Sequence, residues 1–150
     1  MAEQQIRRND GSRPILDSIY EVYRHLGPGL LESVYEEALM IEFASRGIHA
    51  QRQVPVRATY KGRDLGMDFI LDILVEDSIV LELKSVEELH PVHYKQLLTY
   101  LKLADKRLGF IVNFNEHILK NGIKRVVNNF DESSIEQKHL APLRLSVGPV

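Results

Sequence analysis

The 150-residue chain has the length of one domain, with no room for a motor or a separate sequence-reading module. Its 44% hydrophobic and 27% charged residues suit an ordinary globular core, and a net charge of -2 excludes any overall pull toward nucleic acid or membrane. It has no cysteine, which excludes disulfides, thiolate catalysis and cysteine-based zinc sites.

The opening MAEQQIRRND is polar, so residues 1–11 read as a flexible N-terminus without an apolar leader. No apolar run is long enough to span a membrane, and a soluble cytoplasmic protein is expected. From Ser12, read as an N-cap, Ile15, Leu16, Ile19, Tyr20, Tyr23 and Leu26 recur at helical spacing. GPG at 27–29 stops that helix. A second runs from about Leu30 to Arg46, ended by Gly47. The period then changes to two. Residues 52–60 read as a strand, KGRDLG as a turn, 67–75 as a second strand and 78–85 as a third, joined tightly through Glu76 and Asp77. Helical spacing returns over 89–104, with His90-Pro91 at its start, and LGFIVNF (108–114) is a further strand. GIKRVVNNF fits a short strand or a helix equally, and the tail over 131–150 has no clear period. A domain over residues 12–130 with α/β sandwich architecture follows.

Charge is unevenly distributed. Residues 64–90 hold eight carboxylates against Lys84 alone, and residues 91–130 hold seven Lys or Arg against Asp105 and Glu116. Such a split suits a cation site beside a phosphate-binding surface, and equally two differently charged solvated faces. The third strand sharpens the question. In IVLELK, strand alternation puts Val80, Glu82 and Lys84 on one face. A carboxylate and an ammonium in so apolar a segment are costly unless paired or used.

The turn register decides what joins them. With Glu76, Asp77 and Ser78 as a three-residue loop, Val75 faces Ile79 and Asp72 faces Glu82. A two-residue loop would place Asp72 opposite Leu81 and scatter the set. Opposed carboxylates call for a divalent cation, and Mg²⁺ takes hard oxygen ligands of this type. Lys84 beside them would position or deprotonate water, or stabilise a developing anion. A surface hairpin with a Glu–Lys pair is the plainer alternative.

Asp72 followed by Glu82-x-Lys84 on adjacent strands resembles the PD-(D/E)XK nuclease superfamily. Gly29-x-x-Glu32-x-x-Tyr35 is the motif that names the GxxExxY family within it. Gln96-x-x-x-Tyr100 is similar to the element of RecB-type nucleases and phage exonucleases. The resemblance covers roughly residues 14–127. It implies a restriction-endonuclease-like sandwich of core order α-β-β-β-α-β with an additional N-terminal helix. It also implies a Mg²⁺- or Mn²⁺-dependent nuclease that cleaves DNA or RNA to leave a 5′-phosphate and a 3′-hydroxyl. Carried over residue by residue, it makes Asp72 and Glu82 metal carboxylates, with the Leu83 carbonyl and Glu32 as further ligands. Lys84 becomes the catalytic lysine. Gln96 joins the catalytic set and, with Tyr100 and Tyr35, meets the substrate. His93, three residues before Gln96, shares that helix face.

Each residue has a plainer reading. Glu32 in a first turn complements the helix dipole. Tyr35 and Tyr100 could be core aromatics with hydrogen-bonded hydroxyls. Gln96 on an otherwise apolar helix is harder to dismiss in this way, because an amide buried there needs partners. Two departures stand out. Leu71 occupies the position of the superfamily's proline, and Asp68, four residues before Asp72, is a rival ligand. The other histidines, His25, His49, His90, His117 and His139, show no metal-ligand spacing. No aromatic is clearly placed for base stacking and no recognition helix stands out. Three functions stay open: an active nuclease, a catalytically inactive fold that binds nucleic acid or a protein, and a subunit that works only in a homodimer or larger assembly.

Overall fold

In a computed structural model, the structure describes residues 10–129. The expected tail over 131–150 and most of the expected N-terminal segment lie outside the described residues. The elements are α1 (Ser12–Leu26), α2 (Glu32–Ser45), β1 (Ala50–Tyr60), β2 (Arg63–Val75), β3 (Ile79–Lys84), α3 (Pro91–Ala104), β4 (Leu108–Asn113) and β5 (Ile123–Val127). A single 3₁₀ turn, Leu119–Gly122, precedes β5. The expected α-β-β-β-α-β core order and the extra N-terminal helix are both present, and β5 resolves the ambiguity of GIKRVVNNF as a strand.

One sheet carries the strands in the order β1-β2-β3-β4-β5. Neighbours are antiparallel except β3 and β4, which are parallel and joined through α3. Ile15, Ile19, Leu39 and Phe43 of α1 and α2 pack with Ile73, Val75, Leu81 and Leu83 on one face. Tyr94, Leu97, Leu98 and Leu101 of α3 pack with Leu74, Val80 and Ile111 on the other. Every residue of β4 is buried, as expected for a strand covered on both faces.

Several boundaries differ from expectation for local reasons. Ser12 is not an N-cap: it is the first helical residue, and its backbone N–H donates to Asp10 Oδ1 at 3.0 Å. α2 starts at Glu32 rather than Leu30 because Gly29 (φ 89°) and the extended Leu31 keep the chain non-helical until then. KGRDLG is not all turn. Lys61 (φ 50°) and Gly62 (φ 75°) form a two-residue hairpin turn, and β2 begins at once with Arg63.

Candidate active site

The β2–β3 hairpin sets the geometry. Val75 pairs with Ile79, Leu74 with Val80 and Ile73 with Leu81, so Glu76, Asp77 and Ser78 form the three-residue loop. Glu76 and Asp77 adopt left-handed backbone angles (φ 52° and 53°). The loop is anchored from both sides: the Glu76 N–H donates to the His49 carbonyl at 2.8 Å, and Lys106 Nζ donates to the Asp77 carbonyl at 2.8 Å. One step beyond the last paired residues, Asp72 comes level with Glu82.

At that step the backbone ladder gives way to side chains. Asp72 Oδ2 accepts the Leu83 N–H at 2.8 Å, and Glu82 Oε1 faces the Asp72 N–H at 3.4 Å. Each carboxylate therefore reaches the other strand's backbone. On the far side of β2, Gln53 has φ 51° and interrupts the β1–β2 pairing opposite Asp72. That irregularity frees Asp72 from an ordinary ladder position.

The pair is electrostatically loaded. Glu82 is only 7% exposed. Burial, and then the Asp72 charge, push its carboxyl up to about 8. Burial also raises Asp72, against the lowering effect of the Leu83 N–H and the Lys84 charge, while Glu32 adds to the rise. Lys84 follows Glu82 on the same strand face and is half-buried. Among the described residues its ammonium makes no hydrogen bond or ion pair. Its carbonyl accepts the Phe114 N–H at 2.9 Å, which fixes the end of β3.

Asp72 and Leu83 border a cleft of about 220 Å³, with Glu32, Ser33, Glu36 and Gln53 forming the rest of its wall. Glu32 reaches it from the exposed first turn of α2. The turn before α2 is braced from below: Tyr35 Oη donates to the Gly27 carbonyl at 2.6 Å and accepts the Leu30 N–H at 3.1 Å. Ser85 Oγ donates to the Leu30 carbonyl at 2.6 Å, tying the same turn to the end of β3. The Gly-x-x-Glu-x-x-Tyr spacing thus has a physical meaning. Gly29 supplies a left-handed turn, Glu32 opens the helix, and Tyr35 one turn later clamps the loop.

That arrangement corrects the expectation that Tyr35 meets substrate. Its side chain is fully buried, stacked on Phe114 with ring centroids 4.1 Å apart, and its hydroxyl is committed to backbone. Gln96 is also corrected: it is exposed, not buried, and its Nε2 donates to Tyr100 Oη at 3.1 Å. Tyr100 is half-buried, with its pKa raised by burial and then by the negative charges of Glu82 and Asp72. His93 Nδ1 accepts the His90 N–H at 3.0 Å, which caps α3. Burial, with the nearby Lys84 charge, lowers the His93 pKa. Asp68 is removed as a rival, because it sits apart in an ion pair with Arg57 at 3.3 Å.

Two residues went unnoticed in the sequence. Gln53 lines the cleft and donates to Glu36 Oε1 at 2.6 Å, and nothing in an alternating strand announces its left-handed backbone. Asn113 is fully buried at the end of β4 and brackets the chain after Lys84. Its Oδ1 accepts the Val86 N–H at 3.1 Å and its Nδ2 donates to the Val86 carbonyl at 3.0 Å. A polar residue closing an apolar strand was its only signal.

Among the described residues, no group of three or more His, Cys, Asp or Glu side chains is arranged to hold a metal ion. The acidic centre is a pair with a backbone carbonyl beside it and Glu32 across the cleft. Mg²⁺ commonly takes one or two carboxylates and completes its shell with water and phosphate oxygens, so this donor set fits. A family model of the PD-(D/E)XK nuclease superfamily matches residues 9–126. No curated protein and no solved structure matches the chain significantly.

Proposed function

The chain belongs to the PD-(D/E)XK nuclease superfamily, and from that premise we propose that it is a divalent-metal-dependent phosphodiesterase of the GxxExxY family, acting on nucleic acid. The pairing of buried Glu82 with half-buried Asp72 is the observation that carries this reading. Two carboxylates whose pKa values are both raised, held by each other's strands, are a cost to the fold that a bound cation would offset. A structural hairpin has no need of it.

Asp72, Glu82 and the Leu83 carbonyl would hold Mg²⁺ or Mn²⁺, with Glu32 contributing directly or through water. When bound, the ion supplies Lewis acidity at the scissile phosphate and favours deprotonation of water near neutral pH. The chain's own groups do the rest. Lys84 brings an uncommitted ammonium to the same strand face as Glu82, where it orients the attacking water and offsets charge growing on the phosphate oxygens. As the water oxygen bonds to phosphorus and the bond to the 3′ oxygen breaks, the attacking water gives up one proton to solvent and the leaving 3′ oxygen takes one from solvent. Gln96 and Tyr100 form a hydrogen-bonded pair at the border of the site, suited to positioning a neighbouring phosphate. Tyr35 acts through the loop that carries Glu32 and is a positioning residue.

The test is cleavage of end-labelled DNA and RNA in Mg²⁺ or Mn²⁺ by wild type and Lys84→Ala. Metal-dependent products from wild type alone are expected. Equal cleavage by the variant would remove Lys84 from the mechanism.

A further inference from the structure

The β1–β2 hairpin outruns the sheet. β3 pairs with β2 only as far as Ile73, and residues 59–68 are exposed without exception. A two-stranded ribbon standing free is marginal on its own in water. This one carries exposed Leu65 (49%) and Met67 (59%). Gly66 (φ 76°) and the Asp64 carboxylate, which accepts the Gly66 N–H at 2.7 Å, shape an irregularity where the register shifts between Arg57 and Thr59.

Charge along the ribbon is not uniform. Arg57 is neutralised by Asp64 at 2.8 Å and Asp68 at 3.3 Å. At the tip, Lys61 and Arg63 have no carboxylate partner among the described residues. Tyr60 is 61% exposed, but Lys61 Nζ lies over its ring, 5.4 Å from the centroid. The tip therefore presents two cations without a carboxylate partner beside an exposed ring. At the other end, Phe69 meets Tyr100 with ring centroids 5.5 Å apart, so the ribbon starts at the border of the candidate site.

Resting on the nuclease reading above, we propose that this ribbon lies in the major groove of duplex DNA, with Lys61 and Arg63 on phosphates that flank the cleavage point. A ribbon exposed on both faces matches the B-form major groove, which is about 12 Å wide and admits two β-strands. The deep, narrow major groove of duplex RNA does not admit one. Arg63 stands nine residues before Asp72. At about 3.3 Å per residue, less the kink at Gly66, the tip reaches roughly 25 Å from the carboxylates. That corresponds to about seven base pairs at ~3.4 Å each.

The experiment measures anisotropy of a fluorescein-labelled 6-base-pair DNA hairpin and a 30-base-pair DNA duplex, with Ca²⁺ in place of Mg²⁺ to prevent turnover. A 30-nucleotide single strand and a 30-base-pair RNA duplex complete the set. Wild type is compared with the double variant Lys61→Asn/Arg63→Gln; Asn tolerates the left-handed backbone at position 61, so the turn is kept. Wild type should bind the long DNA duplex on the order of tenfold more tightly than the short one. The variant should lose that preference and about 1.8 units of salt slope, the loss of two phosphate contacts. Equal binding of the long duplex by both proteins overturns the proposal. So does wild type that binds RNA duplex or single strand as tightly as DNA duplex, or that binds the long duplex not at all. Cleavage of the 6-base-pair hairpin in Mg²⁺ by wild type reads the underlying nuclease assignment separately, because a tip about seven base pairs from the carboxylates falls beyond so short a flank.

Discussion

Replacing Glu82 by glutamine should stabilise the metal-free protein, by an amount that grows with pH. The glutamine side chain keeps an oxygen to accept the Asp72 N–H and removes the ionisable group. In the folded metal-free state the Glu82 carboxyl titrates near 8 instead of near 4.5. The folded state thus binds more protons than the unfolded chain across that window, and stability falls as pH rises through it. The stabilisation that the protonated carboxyl retains is complete below about 4.5 and is lost by about 8. The slope is about 1.4 kcal/mol per pH unit. Integrated over the window this approaches about 5 kcal/mol, and relaxation with water entry brings the expected cost to about 2–4 kcal/mol at pH 8. The assay is thermal unfolding in a chelator at intervals from pH 5 to 8.5. At roughly 2–4 °C per kcal/mol for a chain of this size, the two Tm values should nearly coincide at pH 5 and separate by several degrees at pH 8, with the variant higher. Parallel Tm curves across the range would refute the reasoning, and with it the claim that Glu82 is held at an electrostatic cost.

Other predictions are simpler. Lys84→Ala should abolish cleavage while leaving Mn²⁺ affinity within a few-fold of wild type, because the ammonium is no ligand; calorimetry beside the cleavage assay separates the two. Tyr35→Phe should lose about 1–3 kcal/mol by urea denaturation, since the Gly27 carbonyl and Leu30 N–H both lose a buried partner. A change below about 0.5 kcal/mol would remove Tyr35 as the clamp of the Glu32 loop. Gly29→Ala should cost roughly 1–2 kcal/mol by the same measurement. No atom crowds that position, so the cost is the left-handed backbone alone (φ 89°).

The sequence offered the site's pairing as one of two hairpin registers, and the structure takes the one with the three-residue loop. Val75 pairs with Ile79, and that alignment brings Asp72 to Glu82. The helix order and the crossover through His90-Pro91 were equally legible, since both rest on period and punctuation. What escaped detection depends on neighbours distant in the chain. Tyr35 looked as suited to substrate as to core until Phe114, from beyond β4, was seen to cover its ring. Gln96 looked buried because its helix is apolar on average, yet α3 leaves that side uncovered. The left-handed Gln53 has no local signature at all, and β5 becomes a strand only because β4 offers it a partner.

The central claim is that Asp72 and Glu82 form a cation site, and Mn²⁺ calorimetry on folded wild type and Asp72→Asn tests it most directly. Run at pH 7 in two buffers of different ionisation enthalpy, wild type should bind Mn²⁺ and release about one proton, the one Glu82 holds in the metal-free state. The variant should bind far more weakly. Binding that Asp72→Asn leaves intact, or no binding to wild type at millimolar Mn²⁺ even with a DNA duplex present, would contradict the account.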